Sequence, residues 1–311
     1  MTCSWGEVLK DHYDAIVDFM VYGSAGFKAK ADQLLEACDH YLFTSSARVY
    51  ANSSEPIRED SPRLLDVCKD EAYLRTDEYA LAKAREEDVL FHHPQTHWTI
   101  IRPCITYNVN RLQLGALEKD VWLHRVLMGR SLVLPKDIAV HETTMTYGKD
   151  VAMAMAALIG NPRAFGEAFH ITGNDHMTWA QVRDVSVDVL YESGINVPVY
   201  DLEDSETLGN LMDNTDQIRY DRLYDRTFDK SKLFDVIGEM DFTPMAEGLR
   251  ECLQEFLKSP SWTYRIIWKV EVYLNKMTGE KQNPGELQGK DKLIYKAWCT
   301  APGLMNRLRK L

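Results

Sequence analysis

Short apolar runs rich in β-branched and aromatic residues alternate along the first half of this chain with longer segments of helical periodicity. That alternation is what most limits its choice of fold. The run YDAIVDFMVYG (13–23) reads as a strand ending in a turn, GFKAKADQLLEACDH (26–40) carries apolar residues at helical spacing, and YLFTSS (41–46) reads as a second strand. TDEYALAKAREEDVLFHH (76–93) predicts a helix, with Thr76 placed to cap it and acids crowding its first turn. HWTIIRPCITY (97–107) is a third strand entering a loop, and DVAMAMAALIGN (150–161) is another helix. Strand, helix, strand, helix, strand at these spacings makes a parallel sheet covered by helices, because parallel neighbours need long crossovers and both faces must be buried. In such sheets chemistry gathers at the carboxyl ends of the strands. The hydroxyls of Thr44, Ser45 and Ser46 sit at one of those ends.

A chain of 311 residues, 45% of them hydrophobic, can bury the core of one large domain or two smaller ones. Its longest strongly apolar run, VAMAMAALIG (151–160), is about half of what a membrane span needs, and the opening MTCSWGEVLKDHYD has no basic, apolar leader. No transmembrane segment and a cytoplasmic location are expected. Cys3, Cys38, Cys68, Cys104, Cys252 and Cys299 are scattered without a CxxC pair, which fits reduced thiols and makes no metal site legible. The net charge of −11 repels polyanions, so nucleic acid is not an expected partner unless basic residues gather in one place.

They gather at the end. Residues 261–311 hold ten Lys or Arg against four Asp or Glu, a net +6, while the preceding residues carry −17. SWTYRIIWKVEVYLNKMTG (261–279) and DKLIYKAWCTAPGLMNRLRKL (291–311) read as helical stretches joined by the loop EKQNPGELQG (280–289). Two roles are open to this basic extension: docking on an anionic membrane surface, or packing on the acidic body. Packing is the expectation.

YALAK (79–83) puts Tyr79 and Lys83 four residues apart on one face of a helix, where an ammonium can approach a phenol oxygen. A free tyrosine holds its proton to about pH 10, but a nearby cation favours the phenolate and lets it serve as a base. This spacing alone also suits a solvated lysine beside a tyrosine packed on the sheet. Its order along the chain adds information: a strand ending SSARVY (45–50), then YALAK, then a strand ending RPCITY (102–107). Together these resemble the extended short-chain dehydrogenase/reductase family, and within it the NAD-dependent epimerases and dehydratases of nucleotide sugars. YGKDVAMAMAAL (147–158), with Asp150, is similar to the family's Val-x-Asp-x-Ala segment, EAFHITGNDHMTW (167–179) to its Phe-Asn-Ile-x-x-Gly strand and turn, and YDRTFDKSKLFDVIGEMDFTPMAEGLRECLQEFL (224–257) to its closing segment. The resemblance runs over residues 13–258.

The resemblance implies an NAD or NADP cofactor and a nucleotide-sugar substrate. It matches Ser46 to the serine that hydrogen-bonds the reacting sugar hydroxyl, Tyr79 to the base, and Lys83 to the lysine that holds the cofactor ribose and lowers the tyrosine pKa. It also places Ser45, Tyr22 and Cys104 beside the cofactor. An Asp-Glu pair, which the 4,6-dehydratases carry after the hydroxyl residue, is replaced by Ala47 and Arg48, which leaves epimerase, reductase or dehydrogenase. Ile105 stands where an asparagine is common, and Thr143 where an arginine would clamp a diphosphate. Arg219 is the candidate clamp in its place, since a guanidinium suits phosphate, while Arg222 and Arg226 read as solvated surface arginines.

The family's opening Gly-x-x-Gly-x-x-Gly turn has no match in these residues; Gly23 and Gly26 in VYGSAGF (21–27) read as an ordinary loop after a strand, near the nicotinamide end of the site. The implied fold is therefore a Rossmann-like doubly wound parallel sheet, incomplete at its amino end, over residues 1–174, a smaller substrate lobe over 175–260 and the basic extension over 261–311. An incomplete sheet exposes an edge that a second copy, a partner chain or the tail would cover. Two functions remain open: an NAD(P)-dependent epimerase or reductase of nucleotide sugars, and a non-catalytic family member that no longer holds dinucleotide. RNA binding is disfavoured by the acidic body.

Overall fold

The computed structural model describes residues 9–262, 266–282 and 284–308. Its main strands are, in chain order, β1 (Ile16–Asp18), β2 (Tyr41–Thr44), β3 (Trp98–Pro103), β4 (Leu132–Pro135), β5 (Glu167–Ile171) and β6 (Val199–Leu202). The main helices are α1 (Tyr79–Phe91), α2 (Lys119–Leu127), α3 (Gly148–Leu158), α4 (Trp179–Glu192), α5 (Met245–Lys258), α6 (Trp268–Thr278), α7 (Gly289–Thr300) and α8 (Pro302–Leu308). They belong to two compact units. The first runs to Tyr107 and then takes up Glu142–His176 and Tyr224–Gly248; the second comprises Asn108–His141, Met177–Leu223 and Leu249–Leu311. Composition reads along the chain as three consecutive segments, whereas the chain leaves and re-enters the first unit, which no local pattern registers.

In the first unit β1, β2, β3 and β5 form, in that order, a wholly parallel sheet. Alternation of side chains across the strands supplies its two faces. Tyr41, Phe43, Trp98 and Ile100 pack with Phe27, Leu34, Leu35 and Leu90 on one side. Leu42, Ile101, Phe169 and Ile171 pack with Val151, Met155 and Leu158 of α3 and with Leu233 on the other. Each such side chain contributes roughly 1.5–3 kcal/mol when fully buried. This is the expected doubly wound sheet. One stretch differs in detail: the helical pattern of 26–40 is interrupted at Ala29 and Lys30, giving Ser24–Lys28 and Ala31–Glu36, so that Phe27 and Leu34 reach the same core.

The second unit contains the parallel pair β4 and β6. Its best-tied element is α2, where Arg125 is fully buried and reaches into the C-terminal helices. The guanidinium donates to Glu271 Oε1 at 2.8 Å, to Asn275 Oδ1 at 2.6 Å and to Thr278 Oγ1 at 3.1 Å, and it pairs with Glu280. Arg130 pairs with Glu271 and Glu286, each at 2.8 Å. Trp268, Leu287 and Trp298 close a small apolar core among α6, α7 and the segment between them. Where it is described the basic extension is helical and packed; residues 263–265, 283 and 309–311 lie outside the described residues. Among the described residues no helix is long and apolar enough to cross a membrane, no cluster of side chains could hold a metal ion, and Cys38, Cys68, Cys104, Cys252 and Cys299 form no disulfide.

A buried histidine ties the sheet to the turn after α3. His40 Nδ1 accepts the Gly160 N–H at 2.9 Å, so Nε2 carries the proton and donates to Thr99 Oγ1 at 2.8 Å; that hydroxyl donates to the Ala164 carbonyl at 2.5 Å. Protonating Nδ1 breaks the first link, and burial, with the charge of His97, holds the ring's pKa down at about 4. In the unfolded chain the same ring titrates near 6.5, so its contribution is complete above about pH 6.5 and is lost as the pH falls towards 4. The melting temperature is expected to decline over that window, and His40→Asn to remove part of the decline; an unchanged slope in the variant refutes the link.

Candidate active site

The helix that carries the Tyr-x-x-x-Lys pair starts at Tyr79, not at the acids before it. Its cap is Glu78, whose carboxylate accepts the Ala80 N–H at 2.8 Å. Thr76 does not cap it: the Thr76 hydroxyl donates back to the Tyr73 carbonyl at 2.7 Å, closing the short helix Glu71–Leu74. Glu78 has two further ligands, the Tyr73 hydroxyl at 3.0 Å and Arg48 Nη2 at 2.5 Å.

Arg48 is the hinge of the site. Its backbone N–H donates to Ser46 Oγ at 3.2 Å, and its guanidinium lies over the half-buried Tyr79 ring at 5.2 Å from the centroid. One residue therefore touches both hydroxyl-bearing candidates, Ser46 from the end of β2 and Tyr79 from the first turn of α1. Sequence reasoning used Arg48 only as a missing acid pair. Its position two residues after Ser46 is the signal that could have found it.

Lys83 follows Tyr79 by one turn on the same side of α1. It is buried, with its ammonium 3.0 Å from Glu86 Oε2, 3.3 Å from the Met20 carbonyl oxygen and over the Phe43 ring at 4.4 Å. Apart from that ammonium, neither Glu86 oxygen has a hydrogen-bond partner among the described residues. Burial pushes the Glu86 carboxyl up to about 7, against the pull of Lys83.

The remaining candidates divide. Tyr22 donates its hydroxyl to Asp18 Oδ2 at 2.9 Å, and Tyr41 donates to the same oxygen at 2.7 Å; burial and that carboxylate push the Tyr22 pKa up. Cys104 is buried among Ala47, Val49, Tyr50, Ile57 and Ala84. The next residue, Ile105, holds φ at +36°, a strained value for a β-branched side chain and one that asparagine tolerates better. Ser45 gives its hydroxyl to Glu87 Oε1 at 2.6 Å. The loop of Gly23 and Gly26 is also committed internally, because Asp77 accepts from the Ser24 N–H at 2.9 Å and from its hydroxyl at 2.8 Å.

Glu87 is the centre of a network that sequence reasoning did not single out. Fully buried in α1, it receives Arg102 Nε on one oxygen and Nη2 on the other, both at 2.8 Å, and Arg63 Nη1 at 3.3 Å. Arg102 Nη1 goes on to the Tyr50 hydroxyl and the Glu59 carbonyl, each at 2.9 Å. The ends of β2 and β3 and the middle of α1 are joined there.

Of the three arginines weighed for phosphate, two are structural, which corrects their reading as solvated. Arg222, in the second unit, is buried and donates to the Gly115 carbonyl at 2.9 Å and to Gln113 Oε1 at 2.8 Å. Arg226, in the first, is buried and donates to the carbonyls of Ala51 at 3.1 Å and Tyr50 at 3.2 Å. Their partners lie far away in sequence, beyond any local pattern. Arg219 lies in the second unit with its guanidinium over the Tyr220 ring at 5.9 Å. Thr143, where an arginine was sought, is buried in the first unit.

Comparison with solved structures identifies the architecture. The chain is similar to dTDP-glucose 4,6-dehydratase from Bacillus anthracis in complex with NAD, with a TM-score of 0.60 and 16% identity over 80% of this chain and 74% of that one. It is similar to the dTDP-glucose 4,6-dehydratase DesIV from Streptomyces venezuelae, with a TM-score of 0.59 and 19% identity over 79% and 74% of the two chains. It is also similar to UDP-glucuronic acid 4-epimerase from Bacillus cereus, solved with UDP-glucuronic acid and NAD, at a TM-score of 0.54 and 19% identity over 80% and 76%. The chain has the fold of the extended short-chain dehydrogenase/reductases, in the form found in NAD-dependent epimerases and dehydratases. Among curated proteins it is 28% identical over 165 residues to the chloroplast stem-loop binding protein of 41 kDa b from Arabidopsis thaliana; the match spans 51% of this chain and 39% of that protein. No family model matches the chain.

The Glu87 network can be tested by taking away one partner. Arg102→Met leaves a buried carboxylate without its bidentate partner and is expected to lower stability by about 3–5 kcal/mol. Glu87→Gln combined with Arg102→Met is expected to recover part of that loss, read from denaturant midpoints. A single variant as stable as the parent would show that the pair does not hold the strand ends.

Proposed function

We propose that this chain acts as an NAD(P)-dependent epimerase or reductase on a nucleotide sugar, at a carbon bearing a hydroxyl group. The observation that carries this reading is the contact of Arg48 with both Ser46 and Tyr79, with Lys83 one turn further along the same helix. The residues at this end of the sheet fit the nicotinamide ribose of a dinucleotide. Thr44 Oγ1 is buried at the end of β2 without a hydrogen-bond partner among the described residues. The Lys83 ammonium has three N–H groups, two of them accounted for by Glu86 and the Met20 carbonyl, and we assign the third to a ribose hydroxyl. Bound there, the cofactor supplies the hydride acceptor.

The chain's own residues supply the proton path. Ser46 Oγ can bond the reacting sugar hydroxyl and fix its orientation. Tyr79 Oη takes the hydroxyl proton, and Arg48 and Lys83 are the cations whose field favours the phenolate so formed. Glu78 holds Arg48 in place from the cap position. The position that would need a carboxylic acid for dehydration holds the Arg48 guanidinium, so likeness to dehydratases extends to fold and not to their elimination step.

A second reading is favoured by one observation: Lys83 is buried against Phe43 and paired with Glu86. If that pair is permanent, the chain is a non-catalytic member of the family. One experiment separates the two. The purified protein is denatured and filtered, and the filtrate is assayed for nicotinamide dinucleotide; the enzyme reading expects one equivalent per chain, or saturable binding on titration with NAD or NADP. Tyr79→Phe is then expected to keep the dinucleotide and to slow turnover of UDP- or dTDP-hexoses by about 100-fold or more. No release and no binding would establish the non-catalytic reading.

A further inference from the structure

The C-terminal helices sort their charges by sign. All four acids of this extension are turned to partners: Glu271 to Arg125 and Arg130, Glu280 to Arg125, Glu286 to Arg130, and Asp291 to the Trp268 indole N–H at 3.0 Å. Of the described bases, Lys269 is buried against Asp213 at 3.3 Å, and those further along have the opposite fate. Lys276, Lys290, Lys292, Lys296 and Arg307 are exposed, and among the described residues none of them shares an ion pair with a carboxylate. From Gly289 to Leu308 the chain carries four basic residues and one acid.

Apolar side chains lie among those bases. Leu293 is 70% exposed, Leu304 58% and Ile294 38%. They are not the inner face of the hairpin, which is supplied by Tyr295, Trp298 and Met305 packed with Trp268 and Leu287. α7 and α8 therefore bury one apolar face and present a second, rimmed by lysines.

We propose that this outer face of α7 and α8 docks the protein on an anionic lipid bilayer. The charge complements the surface, and a bilayer also receives Leu293, Ile294 and Leu304, while lysine stems lie along apolar surface with their ammonium groups at the headgroups. A polyanion without an apolar phase, such as RNA, satisfies the lysines and leaves the three aliphatic side chains in water. Residues 1–260, at −17, are repelled by the same surface, so attraction falls to the basic extension that carries this face. The inference is independent of the reaction proposed above.

Vesicle flotation of the full chain tests it. The protein is expected to float with phosphatidylcholine vesicles containing phosphatidylglycerol and not with phosphatidylcholine alone, and to be released at high salt. Lys292→Glu with Lys296→Glu should reduce partitioning by about tenfold or more, and Leu293→Ser with Leu304→Ser by about tenfold. These positions are exposed, and unchanged thermal melts confirm that the variants fold. Equal flotation with both vesicle types, or none with either, overturns the proposal. So does tighter binding to a stem-loop RNA that is weakened by the lysine pair and untouched by the leucine pair, which would mark the face as a nucleic-acid surface.

Discussion

The first unit depends on one buried ion pair. Glu87 and Arg102 meet with two parallel N–H···O contacts of 2.8 Å where water does not reach. Removing two charges from water costs several kcal/mol per ion, and only good geometry with every remaining lone pair satisfied offsets it. Here Ser45, Arg63, Tyr50 and the Glu59 carbonyl supply those extra contacts. The pair is thus less a source of stability than of position. It ties the ends of β2 and β3 to the middle of α1, and Tyr79 and Lys83 sit on that helix upstream of the tie. With α1 fixed in this way, the Tyr79 ring comes under the Arg48 guanidinium, and Arg48 in turn bonds Ser46.

A second buried pair in the same helix is balanced differently. Among the described residues Glu86 has no hydrogen-bond donor besides the Lys83 ammonium, so desolvation dominates and its carboxyl holds its proton up to about 7. Glu87, one residue on, has donors on both oxygens. The contrast shows why adjacent glutamates in α1 have different characters: one is a locked structural anion, the other a carboxyl able to change charge near neutral pH beside the candidate ribose-binding lysine. A competing partner for Lys83 therefore meets a carboxylate that is only weakly held in its charged form.

How much of this was legible follows from the range of each interaction. The sheet and helices α1 and α3 were readable because their signals are periodic and local: Tyr41 and Phe43 face one side and Leu42 the other, as alternation requires. Ser46 at the end of β2 and Tyr79 and Lys83 in α1 could be singled out because each lies in a short local motif. The cap of α1 was misplaced on Thr76: its hydroxyl donates to the Tyr73 carbonyl and accepts the Glu78 N–H just before the helix, while Glu78 takes the Ala80 N–H of the first turn. Arg222 and Arg226 could not be read. Each is a charged residue in a polar stretch, and what buries it is Gln113 and Gly115 in one case and Tyr50 and Ala51 in the other, more than a hundred residues away. The acids of α1 show the same failing, because a run such as KAREED reads as a solvated face, yet Lys83, Glu86 and Glu87 are all buried.

The same rule, that a charge is placed by its partner and not by its neighbours in sequence, explains the C-terminal helices. Arg125 and Arg130 draw Glu271, Glu280 and Glu286 inward, and the lysines between those acids face out, with no carboxylate to meet among the described residues. A segment with net +6 in composition thereby presents a surface more basic than its composition, because three of its four acids are neutralised by arginines from outside it. Buried pairing thus acts twice in this protein. In the first unit it aims a helix at the sheet ends; in the second it spends the acids and leaves a face whose remaining charge and exposed leucines act together.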